Sequence, residues 1–321
     1  MQLRITVEPQ QGASYEDVLA AAQTAEQCGF DAFFRSDHYR ASPPFGASGP
    51  VPAPEGLPGP TDAWVTLAAL ARETQRIRLG TLVTPVTFRL PGPLASTVAQ
   101  VDLISGGRVE LGLGTGWYEA EHRAYGIPFP PLRERFDRLE EQLAIVTGLW
   151  TTATGVPFTF DGAYYQLENS PGFPKPLQRP HPPIIIGGVG TRRTPRLAAQ
   201  YADEFNAART NWAAQQFPLV RAACEKVGRD PATLVCSTAH TICCAADSAT
   251  LHQRAAAIGL NLQGLRQLGV LCGSSDEVLE KLAHDHSIGA TRAYLRLWDI
   301  SDLDHLREIA ETVLPAVKEF V

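Results

Sequence analysis

Strand and helix patterns alternate along nearly the whole chain, and this alternation restricts the fold more than any other feature. Short apolar runs at residues 32–35, 109–113 and 183–186 are each followed by a longer helical pattern, and about eight such strand–helix units follow one another. Strands separated by helices require a parallel sheet with helical crossovers. We therefore predict the α/β class and, more narrowly, a (β/α)8 TIM barrel, in which the functional loops follow the strands.

Some element boundaries can be stated in advance. The third predicted strand covers residues 77–83, Thr61 is the expected N-cap of the helix before it, and a closing amphipathic helix covers residues 302–321. Residues 41–60 are mostly Pro, Gly, Ala and Ser and form too long a connection for a simple turn, so we interpret them as a lid or active-site loop. We predict a single domain over residues 1–321.

The helical pattern stops between about residues 151 and 182. The segment at 158–165 contains an Asp-Gly pair between two strand-like runs, which is typical of a β-hairpin turn. We interpret this region as an insertion in the barrel and not as a domain of its own.

Composition excludes several classes of function. The formal net charge is -6 and the longest basic run is the pair Arg192-Arg193, so a nucleic-acid partner is not expected. No apolar run approaches the roughly 20 residues of a membrane span, and the N-terminus lacks the pattern of a signal peptide. The six cysteines form no C-x-x-C pair. We expect a cytoplasmic protein with reduced, packed thiols, no membrane partner and a small-molecule substrate.

Two strand ends carry side chains that suggest chemistry. Asp37 and His38 follow the second strand, where a histidine can transfer a proton near neutral pH. A structural Asp-His pair at the start of a loop explains the same residues equally well. The third strand ends in Thr81, Leu82, Val83 and Thr84, a pattern more typical of a core strand before a proline turn.

The next two strands end in glycine-rich loops. Gly114, Thr115 and Gly116 follow the fourth strand and allow a ligand to approach the backbone closely, and Trp117 adds a flat apolar surface. The loop after the fifth strand leads into a helix, so its N–H groups and the helix dipole favour a phosphate. Both loops also fit ordinary turns. The residues of the second loop are Gly187, Gly188, Val189, Gly190 and Thr191.

Metal and hydrolase chemistry find little support. The eight histidines form no H-x-H or H-E-x-x-H arrangement at a strand end, and no G-x-S-x-G motif is present. We therefore predict no metal site.

Four segments together carry a family resemblance. They are RSDHY, GTLVTPVTFRLP, SGGRVELGLGTGWYEAEHRAYGIPFPP and HPPIIIGGVG, which follow the second to fifth predicted strands. In combination they resemble the luciferase-like monooxygenase superfamily and, more narrowly, its F420-dependent oxidoreductase branch. The resemblance implies a TIM barrel with the insertion near the active-site mouth, coenzyme F420 as cofactor, hydride transfer to or from an organic substrate, and a homodimer. An FMN-dependent monooxygenase and a non-catalytic flavin-binding protein are the alternatives.

The resemblance also implies roles for the residues at the four strand ends. His38 would transfer a proton and Asp37 would contact the cofactor ring. The segment Thr81 to Thr84 would back the ring, with a cis peptide bond between Leu82 and Val83. Gly114 to Gly116 would hold the side arm, and Gly187 to Thr191 the phosphate. Trp117 departs from the sugar-phosphate dehydrogenases of the superfamily, which have Glu at this position, so the substrate stays open.

Overall fold

The structure is a computed structural model that describes residues 1–41, 59 and 61–320. Most of the segment that we interpret as a lid therefore lies outside the described residues. The described strands are β1 (Gln2–Val7), β2 (Ala32–Arg35), β3 (Arg78–Thr81), β4 (Thr84–Pro85), β5 (Val109–Gly114), β6 (Phe158–Asp161), β7 (Gln166–Ser170), β8 (Ile184–Gly187), β9 (Glu204–Ala207), β10 (Val235–Cys244), β11 (Leu271–Gly273) and β12 (Arg292–Leu297).

Helices connect these strands through most of the described chain. They are α1 (Tyr15–Cys28), α2 (Ala63–Glu73), α3 (Pro91–Ser105), α4 (Glu119–Ala124), α5 (Leu132–Thr151), α6 (Arg193–Tyr201), α7 (Thr210–Lys226), α8 (Ser248–Ala257), α9 (Leu262–Gln267), α10 (Ser275–Ser287), α11 (Leu303–Thr312) and α12 (Leu314–Val317).

Eight of the strands form a closed parallel barrel. Their order around the ring is β1, β2, β3, β5, β8, β9, β10 and β12, and β12 pairs with β1 to close it. Every one of these pairings is parallel. The prediction of a (β/α)8 barrel is confirmed. Apolar side chains of the outer strand faces pack against the helices and form the main core.

A network of buried charges fills the amino-terminal end of the barrel interior. Arg4 Nη1 donates to Glu110 Oε2 at 2.6 Å and to the Tyr294 hydroxyl at 3.0 Å. The second oxygen of Glu110 accepts a hydrogen bond from Arg78. Burial alone would raise the pKa of Glu110, but the charges of the two arginines outweigh it and lower that pKa. Both oxygens of this carboxylate are therefore occupied by the protein itself.

Local signals explain where several elements begin and end. Helix α1 has a capping box, because Ser14 accepts from the Asp17 N–H while the Asp17 carboxylate accepts from the Ser14 N–H. It ends at Gly29, whose φ is 82°. The hairpin of β6 and β7 turns beyond Asp161, where the Asp-Gly pair predicts it.

Three predicted boundaries are wrong. The third strand ends at Thr81 instead of continuing to residue 83, because the chain then shifts its pairing and Thr84 lies beside Leu113 of β5. The N-cap of α2 is Asp62 and not Thr61, since the Asp62 carboxylate accepts two backbone N–H groups. The closing helix breaks after α11, because Pro315 has no N–H to continue the helical hydrogen bonds.

Three features of the described residues concern membrane spans, metal ions and thiols. In that part of the chain no helix is both long and apolar enough to cross a membrane. The described residues contain no cluster of three or more His, Cys, Asp or Glu side chains able to hold a metal ion. All six cysteines are free thiols, as expected, and five of them are buried.

Candidate active site

A cavity of about 420 Å³ lies at the carboxyl ends of the barrel strands. This is the end at which barrel enzymes carry their functional loops, and the volume falls within the usual range of ligand pockets. The cavity brings together nine of the predicted site residues, contributed by four strand ends. They are His38, Leu82, Val83, Gly114, Thr115, Gly116, Trp117, Gly187 and Gly188.

The other predicted site residues do not line the cavity. Asp37, Thr81 and Thr84 lie behind its wall, and Val189, Gly190 and Thr191 lie further along the loop after β8. Their roles stay predictions.

His38 is held by a buried carboxylate. Its Nδ1 lies 3.0 Å from Oε1 and 3.1 Å from Oε2 of Glu121, whose side chain is fully buried. Glu121 Oε2 also accepts the backbone N–H groups of Tyr39, at 2.7 Å, and Arg40, at 3.2 Å. No described residue forms a hydrogen bond with His38 Nε2, and the side chain is 13% exposed. The ring is therefore fixed through one nitrogen while it borders the cavity.

This contact also sets the charge of the imidazole. Burial lowers the pKa of His38, but the hydrogen bond and the negative charge of Glu121 outweigh burial, and the pKa is raised above its ordinary value of 6.5. A histidine with a raised pKa holds its proton more firmly near neutral pH. His38 can therefore donate a proton to a bound molecule and take it back.

Asp37 is bound within the protein. Its Oδ2 accepts from Arg89 Nη1 at 2.5 Å and from the Thr84 hydroxyl at 2.8 Å, and the carboxylate is fully buried. Arg89 also pairs with Asp62 at 2.8 Å, at the start of α2. These contacts tie the end of β2 to the segment after β3 and hold the cavity wall in place.

That wall is formed by Leu82 and Val83, and the peptide bond between them is cis, as the resemblance implies. The wall passes so close to β5 that a side chain at Gly114 is not tolerated without movement. A Cβ built at this glycine would lie 2.9 Å from Val83 Cγ2. The glycine therefore keeps backbone atoms accessible beside a flat apolar surface.

The loop after β8 is shaped by a second close approach. Gly188 has a φ of 139°, a conformation that residues with a side chain rarely adopt. A Cβ at Gly190 would lie 2.6 Å from Thr194 Oγ1. Helix α6 begins at Arg193, and Gln216 Nε2 donates to the Val189 carbonyl at 3.2 Å. The loop therefore leads directly into a helix N-terminus, the setting that favours a phosphate.

Trp117 forms an exposed aromatic surface at the cavity. Its side chain is 55% exposed, and its ring stacks on Tyr118 with centroids 5.1 Å apart and an interplanar angle of 22°. It meets the His38 ring edge-on at 5.8 Å. Position 117 thus presents an apolar surface next to the imidazole.

Sequence reasoning missed several residues of the site. Glu8 and Arg296 line the cavity as an ion pair, with 2.9 Å between Glu8 Oε1 and Arg296 Nε. They stand at the ends of β1 and β12, so the same search of strand ends would have found them. Glu121 and Trp212 lie on helices, and no local sequence signal indicates that they reach the site.

His122, the other histidine of the glycine-rich segment, has a structural role. Its Nδ1 donates to the Tyr118 carbonyl at 2.8 Å, and its Nε2 lies 2.6 Å from the Thr87 hydroxyl. Burial lowers its pKa, which keeps the ring neutral and suits this pair of contacts. It fixes α4 and thereby Glu121.

Comparisons with known proteins concern the family and the fold. The model of the luciferase-like monooxygenase family matches residues 1–267. An F420-dependent glucose-6-phosphate dehydrogenase of Nakamurella multipartita is 36% identical over 213 residues, which are 65% of this chain and 58% of the relative. An FMNH2-dependent dimethylsulfone monooxygenase of Pseudomonas putida is 33% identical over 135 residues, which are 42% of this chain and 36% of the relative.

The matched regions span between about a third and two thirds of the curated relatives' own lengths. A solved structure of an F420-dependent secondary alcohol dehydrogenase in complex with an F420-acetone adduct has a TM-score of 0.81 over 98% of both chains, at 19% identity. That likeness shows the fold.

Proposed function

Because this chain belongs to the luciferase-like monooxygenase family, we propose that it is an F420-dependent oxidoreductase that transfers a hydride between the deazaflavin and an organic substrate. The observation that carries the proposal is the position of His38, on the cavity wall and fixed by a buried carboxylate. A hydride transfer to or from a carbonyl or alcohol needs a group that moves the matching proton. An imidazole held in this way is suited to that task.

The residues present fit a flat cofactor with an anionic arm. Leu82 and Val83 offer an apolar surface for a ring, and Gly114 leaves backbone atoms bare beside it. Gly188 and the N-terminus of α6 provide the backbone N–H groups that a phosphate requires. When bound, F420 supplies the two-electron hydride chemistry itself, so the protein has to orient the ring and handle the proton.

The chain's own groups then have separate tasks. His38 donates or accepts the proton through Nε2, and Glu121 holds Nδ1 so that Nε2 borders the cavity. Asp37, fixed by Arg89 and Thr84, stabilises the wall against which the ring would lie. Trp117 covers the site beside His38 and limits the access of water.

A second candidate is an FMN-dependent monooxygenase. It is favoured by the 33% identical relative from Pseudomonas putida, whose name gives reduced FMN as its cosubstrate. The same apolar wall and the same phosphate-binding loop would suit FMN. A non-catalytic flavin-binding protein would share the cavity but would have no use for the fixed pair of His38 and Glu121.

Equilibrium titration with the two cofactors, followed by their fluorescence, tests the proposal. We expect saturable binding of F420 and weaker binding of FMN. The variant Gly114→Ala should weaken cofactor binding because its methyl group would crowd Val83, whereas Gly92→Ala, which meets nothing within 4 Å, should not. Binding of FMN without binding of F420 would reverse the order of the two candidates.

Three further expectations from the sequence stay predictions: one domain over the whole chain, a homodimer and a cytoplasmic location. Size-exclusion chromatography with light scattering would test the homodimer directly.

A further inference from the structure

One half of the cavity has no task in the proposed function. The half formed by β2, β3, β5 and β8 carries His38, the Leu82–Val83 wall and the glycine loops. The half formed by β9, β10, β12 and β1, which we call the far half, is lined by Glu8, Asn206, Thr241, Arg296 and Trp298.

The guanidinium of Arg296 is held in place by a chain of side chains. Ser36 Oγ donates to Gln10 Oε1 at 2.7 Å, and Gln10 Nε2 donates to Glu8 Oε2. The other oxygen of Glu8 lies 2.9 Å from Arg296 Nε. Gln10 is buried, and the Glu8 side chain is 12% exposed. Glu8 therefore holds the Arg296 guanidinium by an ion pair on its Nε side, where Nε has no hydrogen-bond partner among the described residues.

The other edge of Arg296 has no partner among the described residues. No described residue forms a hydrogen bond or ion pair with either Nη atom, and the side chain is 27% exposed in the cavity. Two coplanar N–H donors with fixed spacing match the two oxygens of a carboxylate. The neighbouring negative charge of Glu8 favours a ligand with one negative charge over a phosphate with two, because like charges repel at this distance.

The rest of the far half suits a flat apolar molecule. Trp212 and Trp298 line the cavity in this half, and Trp117 lines it from the loop after β5, while the other two tryptophans of the chain are buried in the core. Leu268 and Val270 add further apolar surface. Aromatic side chains bind flat ligands by stacking and by the burial of large apolar areas.

We propose that the far half binds the substrate and selects a flat, apolar organic acid whose carboxylate is bound by Arg296. This inference rests on the proposed function, because it places the substrate opposite the wall assigned to the cofactor. Arg296 becomes a specificity-determining residue, and a neutral or polyhydroxylated substrate would neither pair with its guanidinium edge nor stack on the tryptophans.

Calorimetric titration of the F420-loaded protein with three probes tests the inference. The probes are 2-naphthoate, the uncharged 2-naphthamide and 2-naphthyl phosphate. In the wild-type protein we expect naphthoate to bind about tenfold or more tightly than the amide, the usual effect of a hydrogen bond to a charged group. Naphthyl phosphate should bind less tightly than naphthoate.

Variants assign this preference to Arg296. Arg296→Met should bind naphthoate and naphthamide equally well. The double variant Glu8→Gln with Arg296→Met should do the same without leaving Glu8 unpaired. Arg307→Met makes the same substitution at a half-exposed arginine that pairs with Asp304 on the surface, and should keep the full preference. Retention of the preference in the double variant, or equal binding of acid and amide by the wild type, would overturn the inference.

The same titrations separate this inference from the proposed function. Binding of F420 is measured first, by its own fluorescence. A protein that does not bind F420 but binds naphthoate through Arg296 would contradict the proposed cofactor and leave the acid-binding site established. A protein that binds F420 but shows no preference for the acid would contradict the inference alone.

Discussion

Both ends of the barrel bury charged side chains, but the hydrogen-bonding atoms of these side chains are occupied to different extents. At the amino-terminal end, Arg4 and Arg78 occupy both oxygens of Glu110. At the carboxyl-terminal end, Glu121 occupies one nitrogen of His38, and its Nε2 has no partner among the described residues. The first arrangement closes a carboxylate inside the protein, and the second leaves a titratable group with one position available to a ligand.

This difference separates stability from function within one fold. A buried ion pair contributes little net stability, but removal of one partner costs much because the other charge stays buried and unpaired. The same rule applies at both ends. At the closed end a substitution should change mainly the free energy of unfolding, and at the open end mainly binding and turnover.

The largest effect is expected at the closed end. Glu110→Gln removes the counter-charge that Arg4 and Arg78 share, leaves Arg4 with Glu204 at 3.8 Å, and should lower the free energy of unfolding by about 3–5 kcal/mol. Chemical denaturation measures this change. A loss below about 1 kcal/mol would mean that the two arginines find other partners.

The Glu110 carboxylate should also make the free energy of unfolding depend on pH. The pKa of Glu110 is lowered in the folded protein, so its stabilising contribution is present above the ordinary value of 4.5. The contribution is lost as the pH falls from 4.5 through the lowered folded value. Denaturation of the wild type between pH 7 and pH 3 should show this loss, and in Glu110→Gln this part of the pH dependence should disappear.

The next effect is expected at the open end. His38→Asn removes the proposed proton-transfer group and should lower turnover by about 100-fold or more, the usual contribution of a general acid or base. F420 binding should change little, and the free energy of unfolding should fall less than in Glu110→Gln, because the Glu121 carboxylate still accepts the backbone N–H groups of Tyr39 and Arg40. Unchanged turnover with a real substrate would exclude His38 from proton transfer.

A smaller effect is expected from the residue that positions His38. Glu121→Gln removes the negative charge and should lower turnover by about tenfold, the equivalent of one charged hydrogen bond. The pKa of His38 is raised in the wild type, so the contribution of the pair to stability is present below 6.5 and is lost as the pH rises through the folded value.

NMR titration of His38 tests this positioning role apart from turnover. The midpoint should lie above 6.5 in the wild type and should fall in Glu121→Gln, while Glu121→Asp, which keeps the charge, should retain part of the upward shift. An identical midpoint in all three proteins would show that Glu121 acts only as packing.

The smallest effect is expected at Glu119, two residues before Glu121 on α4. Glu119 pairs with Arg123 on the surface of α4 at 3.7 Å, with both side chains more than half exposed. Glu119→Gln should change stability by no more than about 0.5 kcal/mol and leave the His38 titration unchanged. This variant is the matched control for Glu121→Gln, since it makes the same substitution on the same helix.

The sequence predicts the barrel well because the signals for it are local. Apolar runs such as 183–186 identify buried strands, and caps such as Ser14 and Gly29 mark the limits of a helix. The short elements are not predicted from the sequence because three to six residues carry too little periodicity. Strand β11 and helices α4 and α9 are of this kind.

The site residues also divide into those that local sequence signals predict and those that they do not. His38 and Gly114 follow strands, and a search of strand ends finds them. Glu121 reaches His38 only because α4 folds back over the end of β2, a contact between residues 83 positions apart. A contact of this kind depends on tertiary packing, so a single sequence contains no direct sign of it. The pairing of Glu8 with Arg296 across the closure of the barrel is hidden for the same reason.

Helix α4 has a consequence for how such a protein can change over time or by design. The carboxylate that serves His38 comes from Glu121, which is fully buried, and not from position 117, which is largely exposed. In the proposed function, the residue beside the ligand and the residue that positions the acid are thus encoded separately. Under the proposed function, we therefore expect substitutions at Trp117 to change substrate choice while the contact between Glu121 and His38 is kept, which makes position 117 the first target for a library.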